Sequence, residues 1–169
     1  MNWNAIGALG QVVAATAVVV SIIYLSIQIR QNTRTTKLEA EKDIALHLAK
    51  SLQDAAPTKL PGIFVRASTD PSTVTEDELA QFGFYVLGFL RLVQHAHDQR
   101  LEGNLSDRTW ESIEVFLLTQ LRAPGVRAIW KIRGDTYKRE FQNYVNSLKI
   151  NESYLSPVDA LTKIREKTP

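Results

Sequence analysis

AIGALGQVVAATAVVVSIIYLSIQI, residues 5–29, contains no charged residue, and Arg30 follows it directly. As a helix this stretch is roughly 37 Å long at about 1.5 Å per residue, whereas the hydrocarbon core of a bilayer is about 30 Å thick. Residues 1–30 are therefore predicted to form a transmembrane anchor. A cleaved signal peptide is disfavoured, since the run is too long, no basic residue precedes it and no small-residue cleavage site follows. So many uncharged residues in succession also disfavour the core helix of a soluble protein.

Charged and aromatic residues beside the span predict its orientation. The basic residues Arg30, Arg34 and Lys37 follow it, and none precedes it. Because basic residues concentrate on the cytoplasmic side, the N-terminus is expected outside and the C-terminal body in the cytoplasm. Trp3 is expected at the outer membrane interface and Tyr24 towards the inner one, with Arg30 and Arg34 as basic anchors of the inner side.

One face of the predicted span carries small side chains, which we call the small-residue row: Gly7, Gly10, Ala14, Ala17 and Ser21. Their spacing of three, four, three and four is that of a left-handed helix crossing, and Tyr24 and Gln28 extend it. Helices in lipid associate by close packing of small residues. The row predicts a helix-packing interface, whose partner is either a second copy or another membrane protein.

Composition limits the remaining possibilities. Removing the anchor from the 169 residues leaves about 140, the size of one domain. The net charge of +2 is too small to indicate nucleic-acid binding. The chain contains no cysteine, which excludes disulfides, thiolate nucleophiles and zinc–cysteine sites.

The rest of the chain is predicted to be all-α. Residues 31–55 contain neither glycine nor proline, which predicts that the anchor helix continues as a helical stalk, and residues 56–169 are expected to form a cytoplasmic helical bundle. A short helix is predicted around 62–67. Thr75 and Glu78 form a capping-box pattern, and the helix they begin should end at Gly103. Further helices are expected near Ser106, Pro124, Tyr137 and Ser156.

The apolar stretch 82–93 is interrupted only by Arg91, which predicts a helix buried on all sides at the centre of the bundle. A second membrane span is disfavoured because the apolar run is too short. Trp110 and Trp130 are expected in the same core.

The sequence His95-Ala-His97-Asp98 is the one cluster that resembles a chemical site. Two histidines two residues apart on a helix point in different directions, whereas zinc-binding pairs are four apart. Arg91, His95 and Asp98 are instead expected to form a structural polar cluster, in which Asp98 either orients His95 or pairs with Arg91. No phosphate-binding glycine loop or nucleophile elbow is present, so we predict no catalytic, cofactor-binding or metal-binding residue and no cofactor.

The chain resembles an uncharacterised family of small bacterial single-span membrane proteins. The matching features are the span running into the IRQNTR motif (residues 29–34), Gly103-Asn-Leu followed by Trp110, and Pro124-Gly125 followed by Trp130 and Arg133. Phe141 and Tyr144-Val145 complete the match. The resemblance covers most of the chain. It implies location in a bacterial inner membrane, and it implies no activity.

Two functions remain open. The first is a non-enzymatic, membrane-anchored helical protein that forms a homo-oligomer or serves as an accessory or scaffold subunit of a larger membrane complex. The second is a ligand sensor or enzyme with a polar pocket around Arg91, His95 and Asp98. The small-residue row and the lack of a catalytic constellation favour the first.

Overall fold

The computed structural model describes residues 3–151 and 153–167, with side chains described at Gln11 and from Ala14 onward. These residues form seven α-helices and no strand, which confirms the all-α prediction. Two short 3-10 turns, 71–73 and 134–136, lie in the connections before the third and the sixth helix. The helices are α1 (Trp3–Ala55), α2 (Leu60–Thr69), α3 (Glu76–Leu101), α4 (Asp107–Arg122), α5 (Pro124–Arg133), α6 (Arg139–Ser147) and α7 (Pro157–Lys167).

The chain divides into two compact units, residues 1–39 and 40–169. The division lies within α1 and inside the segment 31–55 that the sequence analysis assigned to a stalk. Residues 40–55 thus belong to the same compact unit as the bundle.

The first unit is a single helix whose described side chains are all exposed. By length and composition, the helix Ala14–Ala55, which begins in this unit, is long and apolar enough to cross a membrane. Polar side chains on this helix bond within it. The hydroxyls of Ser21 and Ser26 donate to backbone carbonyls one turn earlier, both at 2.8 Å. The Gln28 amide donates to the Tyr24 hydroxyl at 2.8 Å. These polar groups therefore have partners without water.

Residues 40–55 are held to the bundle by one apolar and one polar contact. Ile44 is 3% exposed and belongs to the hydrophobic core. The Glu41 carboxylate accepts hydrogen bonds from the Ser106 backbone N–H at 3.2 Å and the Thr109 hydroxyl at 3.1 Å. The bonds from Ser106 and Thr109 lower the pKa of Glu41. This carboxylate supplements the Ser106 cap at the start of α4, where backbone N–H groups are unpaired.

The ends of α3 agree with the local sequence signals. The Thr75 hydroxyl accepts from the Glu78 N–H at 3.3 Å, and the Glu78 carboxylate accepts from the Thr75 N–H at 3.1 Å, which confirms the capping box. After α3, Gly103 has a φ of +74°, in the left-handed region where glycine carries no steric penalty.

Helices α2, α4 and α5 pack against α3. Phe82 and Leu90 are fully buried, but Phe84 is 77% exposed. The prediction that this stretch is buried on all sides is therefore wrong for the face that carries Phe84, which the neighbouring helices leave uncovered.

The two tryptophans expected in the core differ in burial. Trp110 is 1% exposed, as predicted. Trp130 is only partly buried, and its indole N–H donates to the Asn146 side-chain oxygen at 3.0 Å. This surface hydrogen bond keeps one edge of the Trp130 ring outside the core.

Gly125 sets the closest approach between two helices of the bundle. A Cβ at this position would lie 2.1 Å from the carbonyl oxygen of Ala67 and 2.9 Å from the Cα of Ser68. Both are backbone atoms, so no side chain can rotate away. The first turn of α5 therefore lies directly against the last turns of α2, and only glycine fits between them.

We expect Gly125→Ala to destabilise the protein by about 1–3 kcal/mol, because the added methyl forces the two backbones apart. The matched control is Gly88→Ala on α3, where an added Cβ meets no atom within 4 Å. That change should stabilise by up to about 1 kcal/mol through helix propensity. Urea unfolding of both variants measures the difference. Equal effects would show that α5 is not in close contact with α2.

Candidate functional site

Arg91 and Asp98, two members of the predicted polar cluster, both contact the segment that follows α5. The Arg91 guanidinium donates to the Thr136 carbonyl at 2.8 Å, and its carbon lies 4.2 Å from the centre of the Tyr137 ring. Asp98 accepts from the Lys138 ammonium at 2.8 Å. Neither of the two pairings considered from the sequence is therefore the one the structure records.

His95, the third member, has an exposed side chain. Within the described part of the chain it makes no hydrogen bond, ion pair or ring contact. Arg91 and Asp98 share a face of α3 because they are seven residues apart, but His95 contributes nothing to the site that they form.

Two further hydrogen bonds connect α3 to the segment 136–138, and neither was part of the predicted cluster. The side-chain oxygen of Gln94 accepts from the Lys138 N–H at 2.9 Å. The Tyr137 hydroxyl donates to the Leu87 carbonyl at 2.9 Å. Polar groups on four successive turns of α3 thus hold one short segment, which indicates a structural role for the cluster.

His97, rather than His95, lies in the core. It is 5% exposed, and its ring centre lies 4.9 Å from that of Tyr144 and 5.5 Å from that of Trp110. Phe141 adds a third aromatic contact at 5.6 Å. The His97 Nδ1 and Trp110 Nε1 atoms are buried without a hydrogen-bond partner among the described residues. An unpaired buried polar atom costs about 1–3 kcal/mol.

Burial shifts the pKa values of both titratable residues in this aromatic cluster in the direction that favours their neutral forms. Burial lowers the pKa of His97, Arg100 adds to this effect, and Asp98 and Glu140 act against it. The Tyr144 hydroxyl donates to the Glu114 carboxylate. Burial, followed by this bond and the charge of Glu114, raises the pKa of Tyr144 above its usual value. Because aromatic rings surround the buried imidazole of His97, we assign this cluster to the core.

An apolar groove of about 430 Å³ runs between the first half of α3 and α5. Small residues, Ala80, Gly83 and Ala128, are among those that line it. Its rim carries Phe84 and Ile132, which are 77% and 73% exposed. This is the uncovered face of α3 described above.

The membrane-related residues are placed as follows. In the small-residue row, the described side chains Ala14, Ala17 and Ser21 are all exposed on α1. Tyr24, Arg30 and Arg34, expected at the inner membrane interface, are exposed as well. The side chains of Gly7, Gly10 and Trp3 lie outside the described residues. The role of the row in packing stays a prediction.

Comparison with known proteins gives no further identification: no family model, curated protein or solved structure matches the chain. Within the described residues, no group of three or more histidine or carboxylate side chains is placed to hold a metal ion.

The buried position of His97 generates a prediction about pH. Its pKa is lowered in the folded state, so between that value and the usual value near 6.5 the unfolded chain binds more protons. The contribution of His97 to the free energy of unfolding is therefore fully present above about pH 6.5, and it decreases as the pH falls below that value. We expect the urea midpoint to fall between about pH 7.5 and pH 5, and His97→Phe to reduce that fall.

The matched control is His95→Phe, since His95 is exposed. It should leave the pH dependence of the urea midpoint as in the wild type. An unchanged pH profile in His97→Phe would show that His97 is not buried in the folded protein.

Proposed function

We propose that this protein is a non-enzymatic, membrane-anchored helical protein that forms a homo-oligomer or serves as an accessory subunit of a larger membrane complex. One observation carries the proposal. Residues 14–29 form an uncharged helix none of whose side chains is buried, so this apolar surface requires lipid or another protein around it.

Hydrogen bonding on this helix supports a lipid environment. In the hydrocarbon core every polar group needs a partner inside the protein. The hydroxyls of Ser21 and Ser26 bond to carbonyls of their own helix, and Gln28 bonds to Tyr24. The span therefore carries its polar side chains at little cost.

The orientation of the span is proposed from its flanking charges, and the compartment from the resemblance. Arg30, Arg34 and Lys37 follow the span, which favours a cytoplasmic position for the bundle. The resemblance in the IRQNTR motif adds the bacterial inner membrane as the compartment.

Assembly through the span is supported by the small-residue row. Ala14, Ala17 and Ser21 are exposed and present little side-chain volume, so another helix backbone can approach closely there. The Ser21 hydroxyl is bonded to its own helix, so contact with a partner helix leaves no hydroxyl unpaired.

The orientation predicts the behaviour of a reporter fused after Pro169. It should act as a cytoplasmic reporter, because the basic residues follow the span. Changing Arg30 and Arg34 to Gln and inserting two lysines after Met1 should weaken or invert this orientation. A periplasmic signal from the unmodified fusion would contradict the proposal.

The row predicts that Ala14→Leu separates the associated helices, since a branched side chain prevents close approach. Ala15→Leu adds the same volume on another face of the helix and is the matched control. Co-purification of two differently tagged copies tests self-association. Recovery of other membrane proteins with each variant tests the accessory-subunit alternative.

Both variants should still insert, because the change makes the span more apolar. Loss of co-purification in Ala14→Leu alone supports packing along the row. If the two variants behave alike in both assays, the row is not an interface.

A further inference from the structure

A second cavity of about 500 Å³ lies where the end of α2, the α4–α5 junction and the start of α7 meet. Ligand pockets typically occupy about 300–1,000 Å³. Its lining differs from that of the apolar groove. Two arginines, Arg122 and Arg127, reach it from one side, and the hydroxyl residues Ser68, Thr69 and Ser156 contribute from the others.

The charges of this cavity are only partly balanced. Arg122 donates to a neutral acceptor, the Asn151 carbonyl, at 3.3 Å. Arg127 has an exposed side chain with no ion pair or side-chain hydrogen bond among the described residues. The carboxylate at the cavity is that of Asp159, which accepts the Ser156 backbone N–H at 3.2 Å and the Ser156 hydroxyl at 2.8 Å. Asp159 is thus paired with Ser156 at the start of α7, and the cavity is lined by two guanidinium groups and one carboxylate.

The start of α5 adds to the positive potential. Ala123 and Pro124 line the cavity, and Ala123 provides no side-chain cap. The N–H of Ala123 bonds to the Gln120 carbonyl and proline has no N–H, so α5 contributes the positive end of its helix dipole rather than free N–H groups. The positive end of a helix favours an anion.

We infer that this cavity is a binding site for a phosphate-bearing ligand. Arg127 is the principal charged contact and Arg122 the second. The planar guanidinium donates paired hydrogen bonds that match phosphate oxygens. The same chemistry accommodates a free phosphorylated solute or the headgroup of an anionic phospholipid. The inference is independent of the proposed assembly function.

The test uses the full-length protein in detergent, with inorganic phosphate and pyrophosphate as probes at constant ionic strength. Isothermal titration calorimetry should detect saturable binding with a Kd below about 1 mM. Arg127→Gln should weaken binding by about tenfold or more, because it removes a charge-assisted contact. The matched control is Arg108→Gln, an exposed arginine that does not line the cavity, and it should bind as the wild type does.

A second arm distinguishes the source of the phosphate. Hydrogen exchange of segments 122–127 and 156–159, which contain residues that line the cavity, is compared in nanodiscs of phosphatidylglycerol and of phosphatidylcholine. Slower exchange only in phosphatidylglycerol, lost in Arg127→Gln, assigns a lipid headgroup. Saturable pyrophosphate binding that depends on Arg127 assigns a soluble ligand. If neither arm gives an effect that depends on Arg127, the site does not exist.

Discussion

The close contact between α2 and α5 at Gly125 determines where the open surfaces of the bundle lie. Because a Cβ there would overlap the Ala67 carbonyl oxygen, α5 can lie against α2 only with glycine at this position. Gly125 lines the apolar groove on one side of the contact, whereas Ser68 and Pro124 line the polar cavity on the other. One backbone contact thus separates two cavities of opposite character, and any shift of α5 would change both.

A second constraint fixes the other end of α5. Leu87, Arg91, Gln94 and Asp98 lie along one face of α3, and each bonds to the segment 136–138. Two of these bonds involve backbone groups of that segment, whose N–H and C=O would otherwise need water as a partner. These bonds account for the presence of the ionisable residues Arg91 and Asp98 on a largely apolar helix. Of the three residues in the predicted polar cluster, Arg91 and Asp98 make these bonds and His95 does not.

Local signals were sufficient to predict the ends of α3 but not the long-range contacts. Thr75, Glu78 and Gly103 act on backbone atoms within a few residues, so their roles could be predicted from the sequence. Lys138 meets Asp98 across forty residues, and no local pattern indicates that pairing. The burial of His97 does have a signal in the sequence, because Phe82, Val86, Leu90, Val93 and His97 follow one another at spacings of four and three. The requirement for glycine at 125 could not be predicted, since it depends on α2.

The unpaired polar groups of the described bundle fall into two classes, and the difference explains which site can bind a ligand. His97 Nδ1 and Trp110 Nε1 are buried in the core beside aromatic rings. Each unpaired atom destabilises the fold, and neither is in contact with solvent. Arg127, whose guanidinium makes no ion pair or hydrogen bond among the described residues, lies at a cavity of about 500 Å³. An anion there would gain hydrogen bonds that the protein itself leaves unmade, at no cost in packing. A solute can reach Arg127 at the start of α5, whereas the buried imidazole of His97 is closed to it. The proposed ligand site therefore lies at the α5 end of the bundle.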